Sequence, residues 1–260
     1  MGGDPRDTFT LTFRVRYEEC GPGGTVHAAV YMRYVQDLAF AHSAALGYPL
    51  AWYETHRLFW LVRRVHLIVH APARYGEDLS ATTQVAGMRR VMARRRNEIR
   101  RAGDDAVVAS AVVDWIFTQQ GTTPIRVPDD FASAFPGFAK PIAPLPLPEV
   151  AVPRGSVWSA LRVRASDTDA MEHANNAVYV DLLDDAVRRG GGSAALAAYP
   201  RTYDLQYHAA AAGGAVLRDV AWRHGEAWHY RLESVTGLLH LHGRACPGAD
   251  APPGGFGEVP

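Results

Sequence analysis

The sequence predicts an α+β fold built twice in tandem, each copy an antiparallel sheet wrapped around one long helix. Three observations predict it. Between Ala28 and Leu46 the apolar residues Val30, Met32, Tyr34, Val35, Leu38, Phe40, Ala41, Ala45 and Leu46 cover most of a helix circumference. A helix apolar on most sides has to be enclosed on most sides. Several β-rich segments separated by turn-forming residues follow this helix and supply the enclosure. The pattern then recurs. Glu19 to Tyr31 and Asp167 to Tyr179 both span twelve steps, and Leu67-Ile68-Val69-His70-Ala71 matches Leu205-Gln206-Tyr207-His208-Ala209 at an offset of 138 residues. Self-similarity of this kind marks a repeated unit.

In chain order, Thr8 to Tyr17 alternates apolar and polar residues and reads as a first strand. Gly21 to Gly24 is a turn, Ala28 to Leu46 the helix, and Gly47 its left-handed stop. Phe59 to Ala71 is a long strand closed by Pro72. Leu79–Val85, Val91–Arg101 and Ala106–Gln119 read as three more, with Ala102-Gly103-Asp104-Asp105 as a hairpin turn. Pro141, Pro144, Pro146, Pro148 and Pro153 make the next stretch a semi-rigid extended linker with little else that packs. The second copy repeats strand, loop and helix, then strands near Thr202–Ala209, Ala215–Arg223, Ala227–Ser234 and Leu238–Cys246. The expected organisation is a first unit over residues 1–139, a linker over 140–154, a second unit over 155–247, and a Gly/Pro-rich disordered tail over 248–260.

Composition narrows the function. The chain has 260 residues, 48% of them hydrophobic, enough for one or two ordinary cores. Lys plus Arg and Asp plus Glu both number 27, so no basic excess points to nucleic acid. Cys20 and Cys246 make no metal or redox spacing, which fits a reducing cytoplasm. No signal-peptide pattern opens the chain and no apolar run reaches membrane-spanning length, so a soluble cytoplasmic protein without a membrane partner is expected. Whether it pairs into a homodimer is open.

The chemistry gathers in Ser166–Ala186. Asp167, Asp169 and His173 lie in a polar loop that runs into Asn175, a candidate N-cap for the apolar segment beyond, and Asn176. A carboxylate, an imidazole and a helix N-terminus can together hold a carbonyl and the negative charge that develops on its oxygen. In the first copy the same register sets Gly21 opposite Asp169 and Thr25 opposite His173, so only the second copy keeps the polar groups. Plainer roles exist for each. Asp169 suits a turn, His173 an ordinary loop, Asn175 and Asn176 simple capping, and Asp167 reads as structural.

Three other features carry less. Arg89-Arg90, Arg94-Arg95-Arg96 and Arg100-Arg101 read as a solvated strand face, with docking of an anionic partner through its phosphates or acidic surface as the functional alternative. His240 and His242 share a strand face but no third ligand accompanies them, so neither a metal nor another cofactor is expected. Gly191-Gly192-Ser193 lacks the closing glycine of a serine-hydrolase elbow.

At these residues the sequence resembles the hotdog-fold thioesterases, and in its tandem form the acyl-ACP thioesterase family. The resemblance is carried by Phe13-Arg14-Val15-Arg16-Tyr17-Glu18, by Tyr34-Val35-Gln36-Asp37-Leu38-Ala39, by Trp60-Leu61-Val62-Arg63-Arg64, and by Asp169 through Asn175-Asn176 to Tyr179. It covers most of the first 245 residues. It implies a double hotdog fold and hydrolysis of an acyl-ACP or acyl-CoA thioester, with Asp169, His173 and Asn176 as the catalytic set. Three positions depart from the plant enzymes. Met171 stands where they carry an asparagine, and Ala210 and Ala211 where they carry a glutamate and a cysteine. What survives is closer to the single-unit relatives such as the 4-hydroxybenzoyl-CoA thioesterases, which work with one aspartate ten residues before the tyrosine, as Asp169 stands to Tyr179.

The leading expectation is thioester hydrolysis, with Asp169 as general base or direct nucleophile, His173 as the orienting group and N–H groups near Asn176 as the oxyanion site. An ionised carboxylate at a helix N-terminus favours direct attack. The first unit would shape the acyl pocket. The alternative class is a catalytically inactive acyl-binding or scaffolding protein, suggested by Met171, Ala210 and Ala211. A hotdog hydratase ranks last, because its signature is not evident around Asp169.

Overall fold

The computed structural model describes residues 6–121, 123–144 and 146–250. The expected disordered tail therefore lies, from residue 251 on, outside the described residues. The chain divides into two compact units, Met1–Val65 with Ala71–Leu145, and His66–His70 with Pro146–Pro260.

The first unit runs β1 (Phe9–Arg14), α1 (Ala28–Ala45), α2 (Leu50–His56), β2 (Leu58–Val69), β3 (Asp78–Arg89), β4 (Met92–Arg101), β5 (Val107–Gln119), β6 (Thr123–Pro124) and α3 (Asp129–Ser133). Its strands lie in the order β1-β3-β4-β5-β2, and β1-β3, β3-β4 and β4-β5 pair antiparallel. Along α1 the exposed residues Arg33, Asp37, Phe40 and Ala44 make one stripe at helical spacing; nearly all the other side chains are buried or half-buried. The enclosed helix expected from its apolar circumference is thus present.

The second unit runs β7 (Ser159–Arg162), α4 (Val178–Arg189), α5 (Ser193–Ala197), β8 (Arg201–Tyr207), β9 (Val216–His224), β10 (Ala227–Ser234) and β11 (Leu239–Pro247). Its order β7-β9-β10-β11-β8 repeats the first unit's order strand for strand. Tyr179, Val180, Leu183, Ala186 and Val187 of α4 are buried, while Asp185, Arg188 and Arg189 face solvent.

Two parts of the chain differ from expectation. The proline-rich stretch, expected to be extended with little that packs, is pinned to its neighbours. The Met88 N–H bonds the Lys140 carbonyl (2.8 Å), the N–H of buried Leu147 bonds Gln206 Oε1 (3.0 Å), and Glu149 pairs with Arg231 (3.1 Å). An extended segment satisfies none of its own backbone groups, so neighbouring polar groups can take them. Beyond β5, a second core forms from Phe117, Phe131, Phe135 and Phe138, packed with Tyr53 and Trp60. It needs a close approach at Gly137, where a Cβ would fall 1.8 Å from the Val85 carbonyl oxygen.

Two of the second unit's buried acids respond to pH in opposite senses. Asp204 Oδ1 accepts a hydrogen bond from His66 Nδ1 at 2.8 Å, and Asp204 Oδ2 accepts from Arg244 (Nε 3.0 Å, Nη2 2.8 Å). Asp184 on α4 accepts from the Tyr203 hydroxyl at 3.0 Å and has Arg188 only at 3.6 Å. Burial pushes the Asp184 carboxyl up to about 6, despite the opposing pull of Arg188 and Tyr203. Its folded value lies above the unfolded value near 3.9, so stability falls as pH rises from about 4 through 6. Asp184→Asn keeps an acceptor for Tyr203 and removes the buried charge. Thermal melts should show the variant more stable by about 1–2 kcal/mol at pH 7.5, with no advantage at pH 4; an unchanged pH profile would refute this account of Asp184.

Candidate active site

The loop between β7 and α4 holds all three candidate catalytic residues, and its backbone shows how so short a segment does it. A 3-10 turn at Ala165–Asp167 ends in buried Asp167, whose carboxylate accepts from the Arg164 N–H (2.8 Å) and the Arg164 guanidinium (2.8 and 3.0 Å). That carboxylate is committed to the turn. The chain then doubles back: Thr168 bridges Ala174, the Asp169 N–H donates to the His173 carbonyl (3.0 Å), and the Glu172 N–H donates to the Asp169 carbonyl (2.9 Å). The return forces Glu172 to φ +61°, a left-handed conformation that costs a non-glycine residue about 1 kcal/mol. Asp169 and His173 are held on the two legs of one tight loop.

The first unit repeats this loop bond for bond. Cys20 bridges Val26, the Gly21 N–H donates to Thr25 (3.0 Å), the Gly24 N–H donates to Gly21 (2.8 Å), and Gly24 takes φ +69°. The sequence register of Gly21 with Asp169 and Thr25 with His173 is therefore a structural equivalence. A Cβ on Gly21 would meet the His27 ring at 3.0 Å. In the first unit, an imidazole fills the space beside the position that carries a carboxylate in the second.

Asp169 is half-buried. Its Oδ1 accepts the Met171 N–H at 3.0 Å, and Oδ2 has no hydrogen-bond partner among the described residues. One carboxylate oxygen is oriented and the other is available. The half-buried His173 imidazole likewise makes no hydrogen bond among the described residues.

Asn175 caps the turn ahead of α4 rather than the helix itself. Its Oδ1 accepts the Ala177 N–H (2.9 Å) and its carbonyl accepts the Val178 N–H (2.9 Å), so the helix starts at Val178. The Asn176 carbonyl accepts the Tyr207 hydroxyl at 2.8 Å, while the Asn176 N–H has no acceptor among the described residues.

Two tyrosines form the floor. Tyr179 and Tyr207 pack edge to face with centroids 5.3 Å apart. Burial, reinforced by the nearby Asp169 charge and opposed by the Ala211 N–H, pushes the Tyr179 phenol up to about 12. Burial pushes Tyr207 well up too. Both stay protonated at neutral pH. The chain after β8 adds backbone only: Ala211 is buried and its carbonyl accepts the Ala174 N–H (2.8 Å), and Ala210 is exposed. Neither position brings a second acid or a thiol. The sequence reading missed Tyr207, whose one signal was its place opposite Val69 in the repeat register.

Other candidate groups sort differently from expectation. His240 does not join His242; its Nδ1 meets the Ala209 carbonyl at 3.0 Å. His242 Nδ1 instead meets His208 Nε2 at 2.9 Å, its Nε2 meets the Leu147 carbonyl at 3.0 Å, and Glu149 brings a third possible ligand atom within 4.8 Å of the two histidines. The third group was invisible in sequence because it comes from the proline-rich stretch. The arginine run is not one solvated face. Arg94 binds Asp114 (2.6 and 2.8 Å), Arg100 binds Glu98 (2.7 Å), Arg101 binds Glu77 (3.0 Å), and Arg95 is buried. No helix among the described residues is long and apolar enough to cross a membrane.

Comparison with known proteins adds the following. The family model of the acyl-ACP thioesterase N-terminal domain matches residues 6–135. No curated protein matches the chain in sequence. Among solved structures, a protein assigned as an oleoyl thioesterase from Lactobacillus plantarum superposes with a TM-score of 0.80 at 18% identity, over 94% of this chain and 97% of that one. The 12:0-ACP thioesterase from Umbellularia californica gives 0.78 at 18% identity, over 94% and 98%. An acyl-ACP thioesterase from Bacteroides thetaiotaomicron gives 0.73 at 15%, over 92% and 97%. At these identities the likeness establishes the tandem hotdog fold.

Proposed function

Because this chain belongs to the acyl-ACP thioesterase family, a family of acyl thioester hydrolases, we propose that it releases free acid and thiol from acyl-ACP or acyl-CoA at one site in its second unit. The observation that carries the site is Asp169: a carboxylate with one oxygen oriented by the Met171 N–H and the other unpartnered, at the approach to α4. In this reading Oδ2 attacks the thioester carbonyl carbon. The C–S bond breaks, the thiolate leaves and takes a proton, and the resulting mixed anhydride is opened by water to regenerate the carboxylate and free the acid. The Asn176 N–H and the first turn of α4 receive the oxyanion. His173 orients the thioester, and then the water. With alanine at 210 and 211, the one-carboxylate mode is the chemistry these residues support. Both cysteines are free thiols, which agrees with a cytoplasmic enzyme ending acyl-chain synthesis.

The test is thiol release from acyl-CoA and acyl-carrier substrates of graded length. Release from any of them, lost in Asp169→Ala, supports the proposal. Binding of acyl thioesters without release from any would establish the inactive scaffold instead. After turnover in oxygen-18 water, label in the peptide that contains Asp169 identifies attack by the carboxylate. Label confined to the acid, from the first turnover on, means activated water or an anhydride opened at its acyl carbon.

A further inference from the structure

The first unit contains a cavity of about 410 Å³, counting the space open to solvent, lined among others by Tyr53, Trp60, Trp115, Phe131, Phe138 and Arg95. Its aromatic walls are those of a small-ligand site. A pocket that only received a saturated chain would need apolar walls alone. This one contains a guanidinium.

Arg95 is 9% exposed. Its hydrogen bond runs from Nη1 to His42 Nδ1 at 2.8 Å, and it lies 5.6 Å from the centre of the Phe135 ring. Guanidinium nitrogens only donate, so His42 Nδ1 is the acceptor and His42 is the neutral tautomer; it offers no counter-charge. No carboxylate among the described residues is in ion-pair range of Arg95, although Arg94, Arg100 and Arg101 beside it each have one. Burial draws the Arg95 guanidinium down to about 10, still charged at neutral pH. The remaining polar groups on the wall do not help. Ser43 and Tyr53 bond each other at 2.6 Å, and Trp115 Nε1 is a buried donor with no acceptor. The cavity therefore combines a charge without its counter-ion, an unanswered N–H donor and aromatic walls.

We propose that this cavity binds a carboxylate carried on an apolar body, the carboxylate seated on Arg95 and Trp115 and the body against Trp60, Phe131 and Phe138. Guanidinium and carboxylate match in charge and in fork geometry, and desolvating both is favourable only when they meet. The carboxylate has two sources of the same chemistry: a free acid such as a hydrolysis product, or the far end of an acyl chain that terminates in an acid. The inference concerns binding by the first unit and stands whether or not Asp169 is the catalytic group.

Titration calorimetry with decanoate and 1-decanol tests it on the full chain. Decanoate is expected to bind at least tenfold more tightly than the alcohol. Arg95→Met, checked for fold by near-UV circular dichroism, should abolish that preference, and Arg95→Lys should keep part of it. Trp115→Phe, which retains the ring and loses the N–H, should weaken decanoate by a few fold and leave decanol unchanged. Equal affinity of acid and alcohol in the unmodified protein would overturn the proposal, as would full decanoate affinity in Arg95→Met. If Arg95→Met does not fold, the Trp115→Phe result decides. Turnover of sebacoyl- against decanoyl-pantetheine separates the sources. A preference for sebacoyl that Arg95 confers assigns the site to the acyl terminus, and equal turnover alongside decanoate binding assigns it to free acid.

Discussion

Asp169→Asn is expected to lower kcat for thioester hydrolysis by about a thousandfold, the scale of losing a positioned acid–base or nucleophilic group, while the melting temperature stays within about 2 °C. The separation of rate from stability follows from the local geometry. Asparagine retains an oxygen to accept the Met171 N–H, so the loop that depends on that bond at 3.0 Å keeps its shape. What disappears is the ionised Oδ2, the only part of the side chain with nothing to hold. His173→Ala should cost less, about tenfold, since orienting the substrate is only part of the barrier. The first unit supplies the contrast. Thr25, at the position equivalent to His173, donates no imidazole, so Thr25→Ala should leave kcat within about twofold. Steady-state thiol release on the three variants decides the matter; matching losses from Thr25→Ala and His173→Ala would end the single-site reading.

Asp204→Asn is expected to be the most destabilising single-atom exchange in the second unit, about 3 kcal/mol and roughly 6–12 °C in melting temperature. Asp204 lies buried between the His66 imidazole at 2.8 Å and the Arg244 guanidinium at 2.8 and 3.0 Å. Burial alone would raise its pKa; the His66 and Arg244 interactions outweigh that and hold it down to about 2. A folded value below the unfolded one near 3.9 means the stabilisation is complete above about pH 4 and lost as pH falls toward 2. The amide removes the charge and leaves a donor beside two donors. Denaturant melts at pH 7 and pH 2.5 should show a large difference between variant and parent at the higher pH and a small one at the lower. A difference that does not shrink with acid would refute the ion-pair explanation.

Much of the fold was legible because it rests on patterns that local sequence records. The apolar circumference of Ala28–Leu46 demanded an enclosing sheet, and α1 at Ala28–Ala45 has one. Ala227–Ser234 was legible to the residue, because β10 is bounded by turn formers. What stayed hidden depends on distant partners. The aromatic core around Phe131 and Phe135 is assembled from short helices with no periodicity to read. Glu149 reaches His208 and His242 from a stretch whose prolines announced only extension. Arg95 is the instructive case. Reading Arg94-Arg95-Arg96 as a charge run suggested solvent, yet strand alternation sets Ala93, Arg95, Asn97 and Ile99 on one face, and all four are buried. At the site, spacing alone recovered the equivalence of Gly21 with Asp169. It could not show that Asn175 caps a turn rather than the helix, since both use the same side-chain oxygen.

The duplicated loop also bears on how such an active centre could arise. Both copies close with the same hydrogen bonds and the same left-handed residue, Gly24 at φ +69° in one and Glu172 at φ +61° in the other. The backbone shape therefore does not depend on aspartate or histidine being present. Chemistry could be gained or lost on this frame by side-chain replacement alone, without refolding the loop. The copy without the acid records what else must change: the ring of His27 stands 3.0 Å from where the Cβ of a new side chain at Gly21 would lie. Ancestry and protein engineering then face the same short path, in which the His27 ring shifts by a few tenths of an ångström to admit an acid at position 21.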